Sequence, residues 1–249
     1  MGAEVCRAVA GAQDMELVAA VDPHAAGSPL GDVARIDSTV IVDGDLEGLQ
    51  RGGAEVVVDF THPDAVADNT IWLLEHGIHA VVGTTGIGDE HLGRVAQLAA
   101  QGPARALFAP NFAIGAVLMM QFAEQAAHHL PHVEIIELHH DRKADAPSGT
   151  ALRTVELINR ARTEAPAPVL GELLDGARGA DADGVRVHSV RLPGLVAHQE
   201  VLFGGLGQTL TIRHDSMDRT SFMPGVLLGI RRVGSLEGLV IGLEHLLAH

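Results

Sequence analysis

EVVVDFTHPDAVADNTIWLLEHGIHAVVGTTG, residues Glu55 to Gly86, decides the fold class. Glu55–Asp59 and His79–Val82 are short, rich in Val and Ala, and bounded by Gly, Asp or Pro, which are the marks of buried strands. Between them Pro63–Glu75 reads as a helix, with Pro63 in its first turn and Thr61 and His62 before it. A strand, a helix and a strand in succession make a βαβ unit and imply a parallel sheet. The same rhythm extends outward. Leu17–Val21, Thr39–Val42 and Arg105–Phe108 are further strand candidates, and Ala3–Val9 and Asp89–Ala100 are helix candidates. The first half is therefore expected to be a doubly wound, Rossmann-like α/β domain, in which ligands lie beyond the carboxyl ends of the strands.

The second half has another pattern. A long apolar helix, Ala113–His128, leads to a strand at His132–His139 and a helix from Ser148 to Thr163. A stretch rich in Pro, Gly, Ala and Asp, Ala165–Gly184, reads as a mobile loop. Val185–Leu192, Ala197–Phe203 and Gln208–His214 follow as strands, the last two joined by a glycine-rich hairpin. This implies an α+β domain with an open, mostly antiparallel mixed sheet. A final helix is expected at Arg219–Val233. The expected domains are residues 1–111 with 219–249, which bind a dinucleotide, and 112–218, which bind substrate.

Composition narrows the function. The chain has 249 residues, 47% of them hydrophobic, enough for a sizeable core. It carries 17 Lys and Arg against 32 Asp and Glu, a formal charge of −15. So acidic a chain is a poor nucleic-acid binder, and it repels anionic substrates unless positive charge is gathered locally. The one cysteine, Cys6, leaves no internal disulfide and no cysteine-rich zinc module, and suits a reducing compartment. No signal-peptide pattern opens the chain, and the apolar run Ala113–Met120 falls far short of the ~20 residues of a membrane helix. A soluble, cytoplasmic protein is expected, with no nucleic-acid or membrane partner.

Positive charge is gathered in one place. His139, His140, Arg142 and Lys143 follow the strand ending at His139, and Lys143 is the chain's only lysine. Pro147-Ser148-Gly149-Thr150 then opens a helix, whose N–H groups and positive dipole end favour an anion. Each feature has an ordinary structural reading: a strand end, an N-cap, a surface cation. Together they suit a small dicarboxylate, with histidine able to donate a proton near neutrality. Adjacent strand residues face opposite ways, so His139 and His140 cannot readily share one ion, and no metal is expected. In the first half Asp59-Phe60-Thr61, Gly83-Thr84-Thr85-Gly86 and Ala109-Pro110-Asn111-Phe112 all lie at carboxyl strand ends, where a dinucleotide would cross the sheet. Asp22 ends Leu17–Val21, where an acid can bond the adenosine ribose or simply make a turn before Pro23.

The segment ELHHDRKADAPSGTA, Glu137–Ala151, resembles the signature of the 4-hydroxy-tetrahydrodipicolinate reductase (dihydrodipicolinate reductase) family of bacterial lysine and diaminopimelate synthesis. VVDFTHPDAV, AVVGTTG, APNFAIGAVL, GLVAHQEVLFG and TIRHDSMDRTSFMPGVLLGIRRV resemble it too, in order and spacing, most closely in its actinobacterial form. The resemblance covers essentially the whole chain. It implies that His139 is the proton donor of an H-H-x-x-K motif and that Lys143 is the second catalytic cation. It places His140, Lys143, Ser148, Gly149 and Thr150 on the substrate carboxylates. It places Gly83, Thr84, Thr85, Phe60 and Ala109, Pro110, Asn111, Phe112 by the nicotinamide cofactor, NADH or NADPH, and Asp22 by its ribose. It also implies a homotetramer built through the open sheet.

The chain departs from the family at its start, where only Met1-Gly2 match the end of a G-x-x-G-x-x-G loop. Gly2 is the residue expected to remain at the cofactor phosphates, and the natural protein is expected to begin further upstream with an apolar strand and that loop. Two rivals stay open on the sequence. One is a non-catalytic nucleotide-binding homologue. The other is a different dehydrogenase, for which the semialdehyde class would need a catalytic cysteine in place of Cys6 in the first helix.

Overall fold

The computed structural model describes residues 1–163 and 171–247. Contacts divide the chain into two units, Met1–Phe112 with Phe222–His249, and Ala113–Ser221. The first unit runs α1 (Gly2–Ala10), α2 (Leu30–Ala34), α3 (Glu47–Arg51), β1 (Val56–Asp59), α4 (Pro63–Glu75), β2 (His79–Val82), α5 (Asp89–Gln101) and β3 (Ala106–Phe108). The second contributes α6 (Ile114–Ala127), β4 (His132–His139), α7 (Gly149–Ala161), β5 (Ala180–Ala182), β6 (Val185–Arg191), β7 (Ala197–Gly205) and β8 (Gln208–Ser216). The chain then returns to the first unit with α8 (Met223–Val233), β9 (Leu239–Ile241) and α9 (Glu244–Leu247).

In the first unit β1, β2, β3 and β9 form a parallel sheet in that order. The strands are short and apolar because both faces are covered. Ala80 and Val82 of β2 pack into a cluster with Val66, Leu73 and Leu74 of α4 and Val95 and Ala99 of α5. Val81, on the other face, meets α8, and Gly229 makes that approach possible. A Cβ at Gly229 would stand 3.0 Å from Leu107 Cδ2 and 3.1 Å from Val81 Cγ1, so the helix lies on the sheet at a position without a side chain.

Two expected strands do not form. Leu17–Val21 and Thr39–Val42 take part only in isolated bridges, Val21 with Asp43 and Ile41 with Pro29. Asp22 N–H donates to Asp43 C=O at 3.0 Å and Asp43 N–H to Ala20 C=O at 2.9 Å, a contact too short to become a ladder. Their apolar side chains build a small separate cluster instead. Leu30, Ala34 and Val42 are buried there, with Cys6, Leu17, Ala20 and Val40 against them. Conversely, β9 was not expected, since three residues between glycines carry no periodicity. The helix expected at Arg219–Val233 divides into a 3₁₀ turn, Arg219–Phe222, and α8. Pro224 lacks an N–H and so belongs in the first turn of α8, not in a helix interior.

The second unit carries a mixed five-stranded sheet, ordered β5-β6-β4-β7-β8. β4 pairs with β6 in parallel and with β7 antiparallel, and the hairpins β5–β6 and β7–β8 complete it. Part of the stretch expected as loop is therefore strand β5, while residues 165–170 of that stretch lie outside the described residues. The turn of β5–β6 is Asp183-Gly184, with φ of +50° and +78°. Both values are those of a type I′ turn, and Asp-Gly is its sequence signal. One face of the sheet is packed and nearly dry: Val133, Ile135, Val185, Val187, Val201 and Phe203 are all buried. The alternate residues form an open face that mixes Ile136, Leu138 and Leu202 with paired charges.

Candidate active site

In the first unit three carboxyl strand ends converge on a cavity of about 140 Å³. Thr84, Thr85, Gly86 and Ile87 line it after β2, Phe108, Ala109 and Pro110 after β3, and Leu92 and Ile241 complete it. Of the residues expected at the cofactor, Thr84, Thr85, Ala109 and Pro110 are in this wall. Gly83, Phe60, Asn111 and Phe112 are not among its lining residues. Phe60 and Phe112 make a tilted ring pair with centroids 5.7 Å apart, and Phe112 is buried. A Cβ at Gly83 would stand 2.1 Å from Phe60 Cε1, so glycine lets the ring close over the backbone.

Beneath the loop is Asp59, which the sequence reading noted only as a strand end. Its buried carboxylate accepts from Thr61 N–H at 2.8 Å, Thr61 Oγ1 at 2.7 Å, Asn69 Nδ2 at 2.9 Å and Thr84 Oγ1 at 3.3 Å. Those bonds fix the start of the Gly83–Gly86 loop. A mainly apolar cavity with threonines along one wall fits a flat, amide-bearing ring such as nicotinamide. Asp22 and Gly2 are exposed and lie outside that wall. Asp22 Oδ1 accepts from His24 N–H at 2.9 Å, and Gly2 heads α1.

In the second unit the cations expected from sequence cluster around the end of β4. Residues two apart on a strand share a face, so Glu137 and His139 lie side by side, and His139 Nδ1 hydrogen-bonds Glu137 Oε2. Parallel pairing sets Arg191 of β6 opposite His139. Its guanidinium clasps Glu137 with both terminal nitrogens, at 3.0 and 2.8 Å. Glu137 is fully buried. Burial pushes its carboxyl pKa up, but hydrogen bonds from His139, Arg191 and Ser189 outweigh this and bring it from 4.5 down to about 2. Neither Glu137 nor Arg191 was expected from sequence; the i, i+2 spacing of Glu137 and His139 was the available signal.

His140 lies just past β4 and is exposed, and its C=O accepts from Lys143 N–H at 3.2 Å. Lys143 Nζ reaches the Asp145 carboxylate at 2.8 Å, and that pairing lowers the Asp145 pKa. Arg191 Nη2 also donates to Asp145 C=O at 2.6 Å. Ser148 is buried as the N-cap of α7, its Oγ accepting from Ala151 N–H at 3.2 Å. Gly149 is exposed, and nothing lies within 4 Å of where its Cβ would be, so an anion can approach the helix start closely. Thr150 follows in the first turn, where its C=O accepts from Thr154 Oγ1 at 2.7 Å. Gln199 Nε2 in turn donates to Thr154 Oγ1 at 2.8 Å, anchoring α7 to β7. His139, Lys143 and the α7 start thus bring an imidazole, an ammonium and a helix dipole to one stretch of chain, a combination suited to an anionic ligand.

Family models cover both units. "Dihydrodipicolinate reductase, N-terminus" matches residues 1–112 and "Dihydrodipicolinate reductase, C-terminus" residues 115–247. The chain is 58% identical to a 4-hydroxy-tetrahydrodipicolinate reductase of Nocardia farcinica, over 98% of this chain and 93% of that one. It is 55% identical to that of Mycolicibacterium gilvum, over 99% and 94%. A dipicolinate-bound dihydrodipicolinate reductase from Paenisporosarcina sp. TG-14 superposes with a TM-score of 0.86 at 46% identity, covering 97% of this chain and 93% of that one. An amine dehydrogenase from Mycobacterium smegmatis, at 15% identity and a TM-score of 0.66, shares the fold.

Proposed function

Because the chain belongs to the dihydrodipicolinate reductase family, we propose that it reduces dihydrodipicolinate, formed from 4-hydroxy-tetrahydrodipicolinate, to tetrahydrodipicolinate in lysine and diaminopimelate synthesis. The observation that carries this is the end of β4: the chain's only lysine, a histidine with one nitrogen fixed and a helix start open to anions, in a protein of charge −15. A nicotinamide coenzyme, NADH or NADPH, supplies the hydride when bound.

The chain's own residues do the rest. Lys143 and the Ser148–Thr150 helix start hold the substrate carboxylates, with His140 beside them. Lys143 exchanges its bond to Asp145 for one to substrate. The electron density left on the reduced ring is quenched by a proton from His139, so orientation and electrostatics carry much of the rate. In the first unit the Gly83–Thr85 and Ala109–Phe112 loops receive the nicotinamide, with Phe60 under Gly83. Asp22 takes the adenosine ribose and Gly2 lies toward the phosphates. The protein works in the cytoplasm as a homotetramer joined through the open sheet face.

Consumption of NADH or NADPH in the presence of the dihydrodipicolinate precursor tests the reading. His139→Gln should lower turnover by about 10²–10⁴-fold, the scale of general acid catalysis, and leave cofactor affinity unchanged. An equal fall in cofactor affinity would contradict the role given to His139.

A further inference from the structure

Glu137 and Arg191 are placed by two adjoining strands, β4 and β6, and their bonds are directional. The Glu137 carboxylate can only accept, so the His139 nitrogen it meets, Nδ1, carries a hydrogen. That leaves Nε2, which has no hydrogen-bond partner among the described residues, as the ring atom free to exchange a proton. Arg191 occupies both carboxylate oxygens, at 3.0 and 2.8 Å, and so prevents the carboxylate from turning.

We propose that Glu137, braced by Arg191, is the positioning residue of the proton donor, fixing the His139 ring with Nδ1–H inward so that Nε2 delivers the proton. The proposal rests on the reading of His139 as donor. In the step itself the Nε2–H bond breaks and its electron pair stays on the ring. The proton forms the new bond to the reduced substrate. The imidazolium becomes a neutral imidazole that keeps its Nδ1–H on Glu137, and Glu137 stays a carboxylate throughout. Without that carboxylate the ring would be free to rotate and to put its proton on either nitrogen, as happens when the acid behind a catalytic histidine is lost.

A buried Glu–Arg pair can also be purely structural, and the experiment separates the two roles. Steady-state kinetics and NADH titration are compared for wild type, Glu137→Gln, His139→Gln and the double variant. Gln keeps the volume but not the charge. Glu137→Gln should lower kcat about ten- to a hundredfold, move the substrate KM by less than about threefold, and leave NADH affinity unchanged. In the His139→Gln background it should cost nothing further. Independent losses that multiply in the double variant would overturn the proposal. Near-normal turnover in His139→Gln would instead sink the donor reading beneath it. Nitrogen-15 NMR of histidine-labelled wild type needs no variant to fold. In the neutral ring a His139 signal with the proton on Nδ1 is expected, and a neutral ring protonated on Nε2, or a mixture of the two tautomers, would overturn the positioning role.

Discussion

At the scale of single residues, charge alone does not explain the site. Lys143 ends in a compact ammonium bonded to Asp145, and every other basic residue of the Lys and Arg set is arginine. Lys143→Arg keeps the charge but brings a larger planar group. It should reduce kcat at least about tenfold, a change of ~1.4 kcal/mol in the barrier, and a steady-state comparison with wild type checks it. The role proposed for Asp22 decides a second outcome. A carboxylate at the ribose repels a 2′-phosphate, and the residues after it are Pro23 and His24, with no arginine to clamp one. NADH should therefore serve at least as well as NADPH, read as the ratio of kcat/KM values; a clear NADPH preference would refute the role of Asp22. The site's cations were legible because they are contiguous. Their acidic partner was half legible, two residues before His139. Arg191 was not, because 54 residues separate it from Glu137 and only the parallel pairing of β4 with β6 brings it back.

At the scale of elements, β4 is both a core strand and the carrier of the site, and its ionised Glu137 links the two. The folded-state pKa near 2 lies below the ordinary 4.5. The carboxylate therefore adds stability that is fully present above pH 4.5 and is lost as pH falls toward 2. A shift of that size corresponds to about 3 kcal/mol. Chemical denaturation at successive pH values should show a steep acid limb in wild type and a shallower one in Glu137→Gln; parallel limbs would mean that the carboxylate is not the source. Elements were read well where period and punctuation agreed. α4 and β4 have the expected bounds, since Pro63 starts one and alternating burial marks the other. Reading failed where an element depends on its neighbours. Leu17–Val21 has strand composition but too little pairing to form a ladder, and β9 is a strand only because β3 accepts it as an edge. The Asp183-Gly184 turn has a legible signal, but it sits inside a stretch whose composition reads as loop.

At the scale of the whole molecule, the open face of the sheet bears on assembly. Ile136 sits in its central strand, opposite His188 on one side and Glu200 on the other. Those polar groups are already paired, His188 with Glu134 at 2.8 Å and Glu200 with Arg213. An apolar residue between satisfied polar pairs suits a second copy of the chain better than water does. Ile136→Glu adds an unpaired charge there and should turn the proposed tetramer into smaller species in light scattering, with monomer secondary structure intact by circular dichroism. An unchanged mass would show that assembly uses another surface. Cys6 has a different use. It is the only thiol in the chain, and it lies in α1 against the small cluster around Leu30 and Val42. Burial raises its pKa above the ordinary 9.0, so little thiolate is available to an alkylating reagent while that cluster is closed. Cys6 is half-buried there. Its labelling rate therefore gauges how well this corner of the fold shields the chain's single sulfur.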